Sequence, residues 1–567
     1  MGAKKKLKLL AHRLFSAMLS LLLHPRRTKA GAVAQSDASP PDQLPAQRDG
    51  CPPAPAPETT TAATLVVDVD TALLLRAGSA GAGDLFPYFM LVALEAGGFL
   101  RGMVLLLLYP LLRVMNHGAA VKAMAAVAFC GLRAARFRAG RAVLPKWFME
   151  DVAAEAFHSA FDASAAGKRR KVVCVTTGMP RVMVEGFLRE YLGADAVVGR
   201  EMKTLWGFYT GLMEDQDDQA ADRQIVSTEE EDVEGFSGSP EFLSHPLARR
   251  CKEVYVVSPE EKRRWRPLPR AKYPKPMVFH DGRLAFLPTA ANTAAMFAWL
   301  PLGVVLGAGR LAVALTVPYK YSTPILAATG MSWRLKGTLP PPSSGSSSST
   351  TRGQLFVCNH RTLIDPVYVS VALDRPVRAV SYSLSRVSEL ISPIGRTVRL
   401  TRDRRSDGAA MARLLAGGDL VVVCPEGTTC REPYLLRFSP LFAELADDVV
   451  PVGIAVETSM FYATTAGGLK CFDPLYYMVN PRMCYTVQFL DRVSTATVRS
   501  GGEPSTDVAN LVQRRMGDAL GYGCTMLTRK DKYLMLAGND GVVRRNDGDS
   551  KSSSMAPSAA VVGKKDS

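Results

Sequence analysis

The stretch that decides the fold reads Leu355-Phe356-Val357-Cys358-Asn359-His360-Arg361-Thr362-Leu363-Ile364-Asp365. Its first four residues predict a buried strand, and the polar residues that follow lie at the carboxyl end, where α/β sheets place their ligands. A histidine held by a carboxylate through one ring nitrogen can take a proton from a hydroxyl group through the other. The stretch therefore predicts an α/β domain in which His360 is a general base oriented by Asp365. The alternative for this pair taken alone is a surface histidine in a turn.

The sequence around His360 contains no nucleophile motif. No Gly-x-Ser-x-Gly elbow is present, so direct attack by a substrate hydroxyl is more economical than a covalent acyl-enzyme. The ten cysteines include no Cys-x-x-Cys pair, and Cys424 and Cys430, the two closest, fit no common zinc spacing. We therefore expect neither a structural metal nor a disulfide framework.

Three arginines follow downstream between positions 398 and 404, at Arg399, Arg402 and Arg404. Guanidinium groups match phosphate and carboxylate geometry, and alternation along a predicted strand would place Arg402 and Arg404 on one face. This arrangement predicts a phosphate clamp, with a solvated strand edge as the alternative.

A second buried-type strand, 420–424, ends in Pro425-Glu426-Gly427-Thr428-Thr429, and Arg431 and Arg437 come shortly after it. A glycine-bearing loop at a strand end lets backbone amides approach an anionic substrate. The last apolar run, 449–454, contains Pro451, which predicts an edge strand or the start of a strand.

These four blocks, in this order and at these spacings, resemble the glycerolipid acyltransferase family. The resemblance implies His360 as general base, Asp365 as its partner, and four residues that hold a glycerol phosphate acceptor: Arg402, Glu426, Gly427 and Thr428. On physical grounds we add Arg399, Arg404 and Arg431 to this substrate-binding set. The family uses acyl-CoA or acyl carrier protein as co-substrate, and we expect no cofactor and no metal here.

The N-terminal half contains two further short strands, at 65–70 and 171–178. The longer pattern of the chain resembles plant glycerol-3-phosphate acyltransferases that make cutin and suberin precursors, which implies a haloacid-dehalogenase-like N-terminal domain, membrane attachment and a preference for the sn-2 hydroxyl. A phosphatase of that type needs Asp-x-Asp-Gly-Thr and late acidic residues for magnesium. Asp68, Asp70 and Thr176 match, but Thr71 and Ala72 replace the Gly and Thr.

The late acidic block of such a phosphatase is replaced around Gly238-Ser239-Pro240-Glu241. No paired carboxylates then remain for magnesium, and we predict a degenerate, inactive phosphatase half.

Several segments indicate membrane association. The run Met296 to Val317 is long enough to span a bilayer or to re-enter as a hairpin bent at Pro301. The apolar insertion 86–132 is interrupted by Glu95 and Arg101, which could face each other or a lipid headgroup, with buried helices of a soluble cap as the alternative. Residues 4–29 form a basic amphipathic segment suited to a membrane surface, a signal anchor or a mitochondrial transit peptide.

The chain has 567 residues, 47% of them hydrophobic, and a net charge of +16, which excludes wholesale disorder. Nucleic-acid binding ranks last because the basic residues lack an interleaved aromatic platform. We predict five regions: an N-terminal segment and Pro-rich linker (1–62), a dehalogenase-like domain (63–285), a membrane segment (286–325), an acyltransferase domain (326–535) and a disordered tail (536–567).

The resulting hypothesis is an acyl-CoA:glycerol-3-phosphate acyltransferase that binds membrane lipid. Lys564 and Lys565 resemble a dilysine retrieval signal and favour the endoplasmic reticulum over mitochondria. The alternatives are a lysophospholipid acyltransferase, a bifunctional enzyme that releases monoacylglycerol, and a non-catalytic membrane scaffold. Acyl-chain preference and protein partners are not specified by the sequence.

Overall fold

The computed structural model describes residues 45–52, 64–76, 84–162, 170–214, 233–341, 353–381, 397–401, 403–467 and 472–539. The predicted basic segment 4–29, the dilysine residues Lys564 and Lys565, and Arg402 lie outside these residues. Two sheets form the centres of the two halves of the chain.

The N-terminal sheet has six parallel strands in the order β1-β8-β7-β2-β3-β4. Their bounds are β1 Ala46–Asp49, β2 Thr64–Asp68, β3 Lys171–Thr176, β4 Ala196–Gly199, β7 Val233–Ser237 and β8 Glu253–Val256. Leu65 and Val67 pack into one hydrophobic cluster and Val66 into another. The sheet is therefore covered on both faces, as parallel sheets require.

Strand β1 corrects the linker prediction, because four residues of the predicted Pro-rich linker extend the sheet beside β8. All four are exposed. Backbone hydrogen bonds and the ion pair of Arg48 with Glu253 at 2.6 Å hold this edge strand, so its composition carries no apolar signal. Strands β5 (Met202–Leu205) and β6 (Phe208–Met213) form a separate two-stranded hairpin that is not part of this sheet.

The helices of the N-terminal half are α1 Phe86–Gly97, α2 Phe99–Val114, α3 His117–Phe129, α4 Ala139–Ala142, α5 Leu144–Met149, α6 Ala154–Phe161, α7 Arg181–Phe187 and α8 Pro259–Lys262. The predicted insertion thus forms α1 to α3. Glu95 and Arg101 do not face each other: the Glu95 carboxylate accepts the backbone N–H of Arg283 at 2.7 Å, and Arg101 donates to the carbonyl of Ala128 at 2.8 Å.

Helix α9, Ala290–Thr316, connects the two halves and is long and apolar enough to cross a membrane by length and composition. It runs unbroken through Pro301, which leaves the spanning helix of the two alternatives and rules out the hairpin bent at Pro301. The Val305 side chain is 71% exposed. The internal Arg310 is buried because its guanidinium donates to the carbonyls of Met478 and Asn480 at 2.6 and 2.7 Å.

The C-terminal sheet runs in the order β12-β11-β13-β10-β15-β16-β9, and β17 also pairs with β15. The bounds are β9 Met331–Lys336, β10 Gln354–Cys358, β11 Arg378–Ser381, β12 Val398–Arg399, β13 Leu420–Val423, β15 Asp448–Thr458, β16 Met483–Phe489 and β17 Val493–Ser494, with a separate pair of β14 Tyr434–Leu435 and β18 Gly523–Cys524. Phe356 and Val357 of β10 pack into different hydrophobic clusters, so this strand is buried on both faces.

The helices of this half are α10 Tyr319–Ala328, α11 Asp365–Leu373, α12 Arg404–Ala416, α13 Asp473–Val479, α14 Ala496–Arg499, α15 Ser505–Leu520 and α16 Arg529–Ala537.

Two predictions about strands in this half are wrong. Pro451 lies inside β15 between two neighbouring strands, not at an edge or a start. Pro451 is in register with Val357 of β10. On the other side of β15, β17 pairs only as far as Val449 and β16 begins at Val452, so position 451 falls in a gap between those two ladders. The predicted strand through the arginines ends at Arg399, since the Asp403 side chain accepts the Ser406 N–H and starts α12.

Candidate active site

The site lies at the carboxyl ends of two adjacent parallel strands, β10 and β13. Strand β10 is followed by Asn359, whose side chain exchanges two hydrogen bonds with the backbone of Ile454 on β15, at 2.9 and 2.7 Å. This pair fixes the start of the loop that carries His360. The predicted strand and loop are therefore present where the sequence analysis put them.

His360 and Asp365 form the predicted pair, with Nδ1 of His360 2.9 Å from Oδ2 of Asp365. Asp365 is fully buried and also accepts the backbone N–H groups of Arg361 and Thr362 at 2.6 and 2.9 Å. The Thr362 hydroxyl donates to its other oxygen at 3.0 Å. The carboxylate is thus rigidly placed and orients the imidazole through Nδ1.

Two thiols that the sequence analysis did not assign lie next to this pair. The sulfur atoms of Cys358 and Cys424 are 3.3 Å apart, and ligand atoms of His360, Asp365 and Cys424 lie within 4.8 Å of one another, a spacing that could hold a metal ion. Both Asp365 oxygens already accept hydrogen bonds, so we interpret the cluster as a hydrogen-bond network.

The protonation of this network follows from its contacts. The hydrogen bond with Cys358 and burial hold the pKa of the Cys424 thiol well above its usual value, so the thiol stays protonated at neutral pH. Burial alone would lower the pKa of His360, but its neighbours Cys424 and Asp365 hold that pKa well above the usual value. Because Cys424 is neutral, the charge that favours the imidazolium is the carboxylate of Asp365.

Glu426 lies in the cavity wall and also has a contact that the sequence did not indicate. Its carboxylate accepts the backbone N–H of His360 at 2.9 Å and that of Leu436 at 3.3 Å. Burial raises the pKa of Glu426 to about 7. Glu426 therefore braces the two loops against each other from the cavity wall, and the neighbouring Gly427 adopts a φ of 64°, a conformation that suits glycine.

One cavity of about 730 Å³ brings together most of the predicted residues. Its polar lining includes His360, Arg404, Glu426, Gly427, Thr428, Arg437, Arg529 and Lys532. Its apolar lining includes Leu363, Val380, Leu400, Met411, Leu441 and Phe442. Arg529 and Lys532 were missed because they lie on α16, C-terminal to all four motif blocks, with no local signal of their own.

Three of the predicted arginines lie in three different environments. Arg404 lines the cavity, where its guanidinium also pairs with Glu444. Arg399 is exposed on β12 and is not part of the described lining. Arg431 is not part of the described lining either: its guanidinium donates to the carbonyl of Gly282 at 2.8 Å and lies 3.6 Å from Asp281.

The N-terminal half brings Asp68, Asp70 and Thr176 together at the carboxyl ends of β2 and β3. The Thr176 hydroxyl donates to Asp70 at 3.1 Å, and Ser237 donates to Asp68 at 2.9 Å. Burial raises the pKa of Asp68 to about 6. Lys262, which the sequence analysis did not single out, lies nearby and donates to the Thr71 carbonyl.

Comparison with known proteins identifies both halves. Residues 64–257 match the family described as "Glycerol-3-phosphate acyltransferase RAM2-like, HAD-like domain", and residues 343–456 match the family described as "Acyltransferase". The chain is 51% identical over 493 residues to the probable glycerol-3-phosphate acyltransferase 3 of Arabidopsis thaliana, covering 85% of this chain and 91% of that protein. It is 43% identical over 475 residues to the glycerol-3-phosphate acyltransferase RAM2 of Petunia hybrida, covering 82% of this chain and 96% of that one.

This chain belongs to the plant glycerol-3-phosphate acyltransferase family. The family assignment confirms the predicted acyltransferase and the predicted order of a dehalogenase-like half followed by an α/β acyltransferase domain. The solved structure of the 1-acyl-sn-glycerophosphate acyltransferase PlsC of Thermotoga maritima matches with a TM-score of 0.26 and 15% identity, covering 40% of this chain and 96% of that one. At that TM-score the likeness carries no argument.

The two halves of this acyltransferase meet at a buried carboxylate close to the catalytic loops. Nζ of Lys146 on α5 lies 3.2 Å from Glu432, and Nδ1 of His280 lies 3.1 Å from it. Arg361, beside His360, donates to the Glu432 carbonyl at 2.7 Å. The dehalogenase-like half is thus in direct contact with the segment that follows Pro425–Thr429.

Proposed function

We propose that this acyltransferase transfers an acyl group from acyl-CoA to a hydroxyl of glycerol-3-phosphate. The pair of His360 and Asp365 in the wall of the cavity carries this proposal. Nε2 of His360 takes the proton from the acceptor hydroxyl as its oxygen forms a bond to the thioester carbonyl carbon. The carbon–sulfur bond then breaks, and the proton passes from His360 to the coenzyme A thiolate.

The two kinds of lining support the two substrates. Arg404 and Arg437 offer guanidinium groups to phosphate, and the apolar side chains around Met411 and Phe442 suit a fatty acyl chain. Holding both substrates in one cavity converts a bimolecular step into an effectively unimolecular one. Arg402, outside the described residues, stays a predicted acceptor contact.

The finer assignments are also part of the proposal. We infer sn-2 acylation, lysophosphatidic acid as product, and a role in cutin, suberin or pollen-wall precursors from the resemblance stated above. We further infer that the dehalogenase-like half is inactive as a phosphatase, because the segment Gly238-Ser239-Pro240-Glu241 supplies no paired carboxylates for magnesium.

Membrane location is proposed from the exposed apolar faces of two helices. Leu100, Leu107 and Val114 are exposed on α2, and Leu302, Val304 and Val305 on α9. The ring centroids of Phe99 and Phe297 lie 6.3 Å apart in an edge-to-face contact, so α2 lies beside α9. The endoplasmic reticulum is the proposed compartment; a fluorescent fusion of residues 1–36 that follows mitochondria would reverse this choice.

The test is acylation of labelled glycerol-3-phosphate by membranes containing the wild type, His360→Ala or His158→Ala as a matched histidine control. We expect sn-2 lysophosphatidic acid from the wild type and the control, and none from His360→Ala. Monoacylglycerol that disappears in Asp68→Asn would show an active phosphatase half. Product from a lysophospholipid acceptor alone would favour that rival activity, and no product from any acceptor would favour the scaffold.

A further inference from the structure

Helix α16 adds a buried cation to the catalytic cavity from outside the residues that match the acyltransferase family. Lys532 lies beyond residues 343–456, yet its side chain lines the cavity that contains His360. It is only 7% exposed. Lysine is rarely buried to this degree unless its charge has a specific use or partner.

The lysine is held against the Pro425–Thr429 loop. Its ammonium group donates to the Thr429 carbonyl, to the Thr429 hydroxyl at 3.1 Å and to the Thr428 hydroxyl at 3.3 Å. The helix that carries it begins with a capping box, in which the Thr528 N–H and hydroxyl both donate to Asp531 at 2.7 Å. Lys532 is therefore fixed in place before any ligand binds.

The hydroxyl of Thr428 transmits this charge toward the cavity. A hydroxyl that accepts a hydrogen bond from an ammonium group still has its own proton to donate, and the donation is strengthened by the neighbouring charge. The 3.3 Å contact is also long for an ammonium–oxygen hydrogen bond, so a phosphate oxygen can replace it with a shorter, charge-assisted bond.

The rest of the wall favours an anion at this place. Arg437 and Arg529 line the same cavity. Of the two carboxylates in the lining, Glu426 is turned to backbone N–H groups and Asp473 pairs with Arg283 at 2.5 Å.

We propose that Lys532 is a specificity-determining residue that binds the phosphate of the acceptor together with Thr428. This inference rests on the proposed function, since it concerns the acceptor of that reaction. It distinguishes a phosphorylated glycerol acceptor from glycerol itself.

The experiment compares the detergent-solubilised full-length wild type with Lys532→Met, Lys532→Arg and the exposed control Lys530→Met. Binding of glycerol-3-phosphate is measured by calorimetry, and kcat/KM is measured with glycerol-3-phosphate, glycerol and acyl-CoA. Loss of a charge-assisted bond predicts binding about 10- to 100-fold weaker in Lys532→Met, with KM for acyl-CoA and turnover of glycerol changed less than about threefold. Lys532→Arg should recover most of the affinity, and Lys530→Met should match the wild type.

Unchanged affinity for glycerol-3-phosphate in Lys532→Met would overturn the proposal. An equal loss with both acceptors that Lys532→Arg does not recover would also overturn it, because a purely structural clamp on the loop predicts that pattern. A wild type that binds glycerol-3-phosphate but forms no ester would count against the proposed reaction alone, because the binding comparison is made without turnover.

Discussion

The carboxylate of Glu426 accepts the backbone N–H of His360 at 2.9 Å, which ties the loop after β13 to the loop after β10. The same carboxylate accepts the N–H of Leu436. Glu426, which the sequence predicts to contact the acceptor, therefore also holds the loop that carries His360 in place. The two roles make different kinetic predictions.

Glu426→Gln tests these roles. The amide oxygen can accept only one of the two N–H bonds well, because the other terminus of an amide is a donor. Loss of one bond to a buried backbone group costs about 1–3 kcal/mol, so we expect kcat to fall about tenfold or more with a smaller change in KM for glycerol-3-phosphate. Steady-state kinetics in both substrates provide the measurement. A rise in KM for glycerol-3-phosphate at constant kcat would instead identify Glu426 as an acceptor contact.

The pH dependence of the reaction follows from the raised pKa of His360. A general base must be neutral, so kcat/KM should fall about tenfold per pH unit below that pKa, and the acid limb should lie above pH 6.5. Asp365→Asn removes the charge that favours the imidazolium and should move the limb to lower pH while lowering the plateau. An acid limb that stays in place in Asp365→Asn would show that another group controls it.

Lys146→Met tests the contact between the two halves. Burial opposes ionisation of Glu432, but His280, Lys146 and Arg270 together hold the pKa of Glu432 well below its usual value. Loss of the Lys146 charge leaves a buried carboxylate poorly compensated, and we expect a loss of about 3 kcal/mol, near the lower limit for such pairs because Arg270 remains. The control is Arg499→Met, whose exposed pair with Asp447 should contribute at most about 1 kcal/mol.

The same variant has a defined pH signature. A carboxylate with a depressed folded-state pKa stabilises the protein above its unfolded-state pKa, and this stabilisation is lost as the pH falls toward the folded-state value. The difference in unfolding free energy between wild type and Lys146→Met should therefore be complete at pH 7 and shrink below about pH 4.5. A difference that is independent of pH would show that packing of the Lys146 stem, not its charge, matters.

Val305→Asp tests the membrane proposal. An acidic residue at the centre of a bilayer-embedded helix costs roughly 2.5–3.5 kcal/mol, so the variant should be released more easily from membranes by alkaline carbonate. Leu212→Asp on the β5–β6 hairpin is the control, since this residue is half exposed but lies outside α9. Equal retention of Val305→Asp and wild type would argue against an embedded α9.

Much of the fold could be predicted because its signals are local. The apolar strands β2, β3, β10 and β13 were all expected from short local runs of the sequence, since a strand buried on both faces needs apolar residues throughout. Strand β1 was missed because an exposed edge strand held by backbone bonds has no such signal. The prediction that a strand continues through Arg404 was wrong because Asp403 caps the start of a helix there. The capping residue decided the local structure, and the alternating pattern of arginines did not.

The sequence by itself determined the pair at the centre of the site. Asp365 follows His360 by five positions, and one strand, one loop and the first turn of α11 are enough to bring their side chains together. Only the tertiary structure decided that Lys532 lines the same cavity, that Cys424 borders His360, and that Arg431 lies beside Asp281. Those contacts join residues far apart in the chain, and they depend on how sheets and helices pack, which no short stretch of sequence encodes.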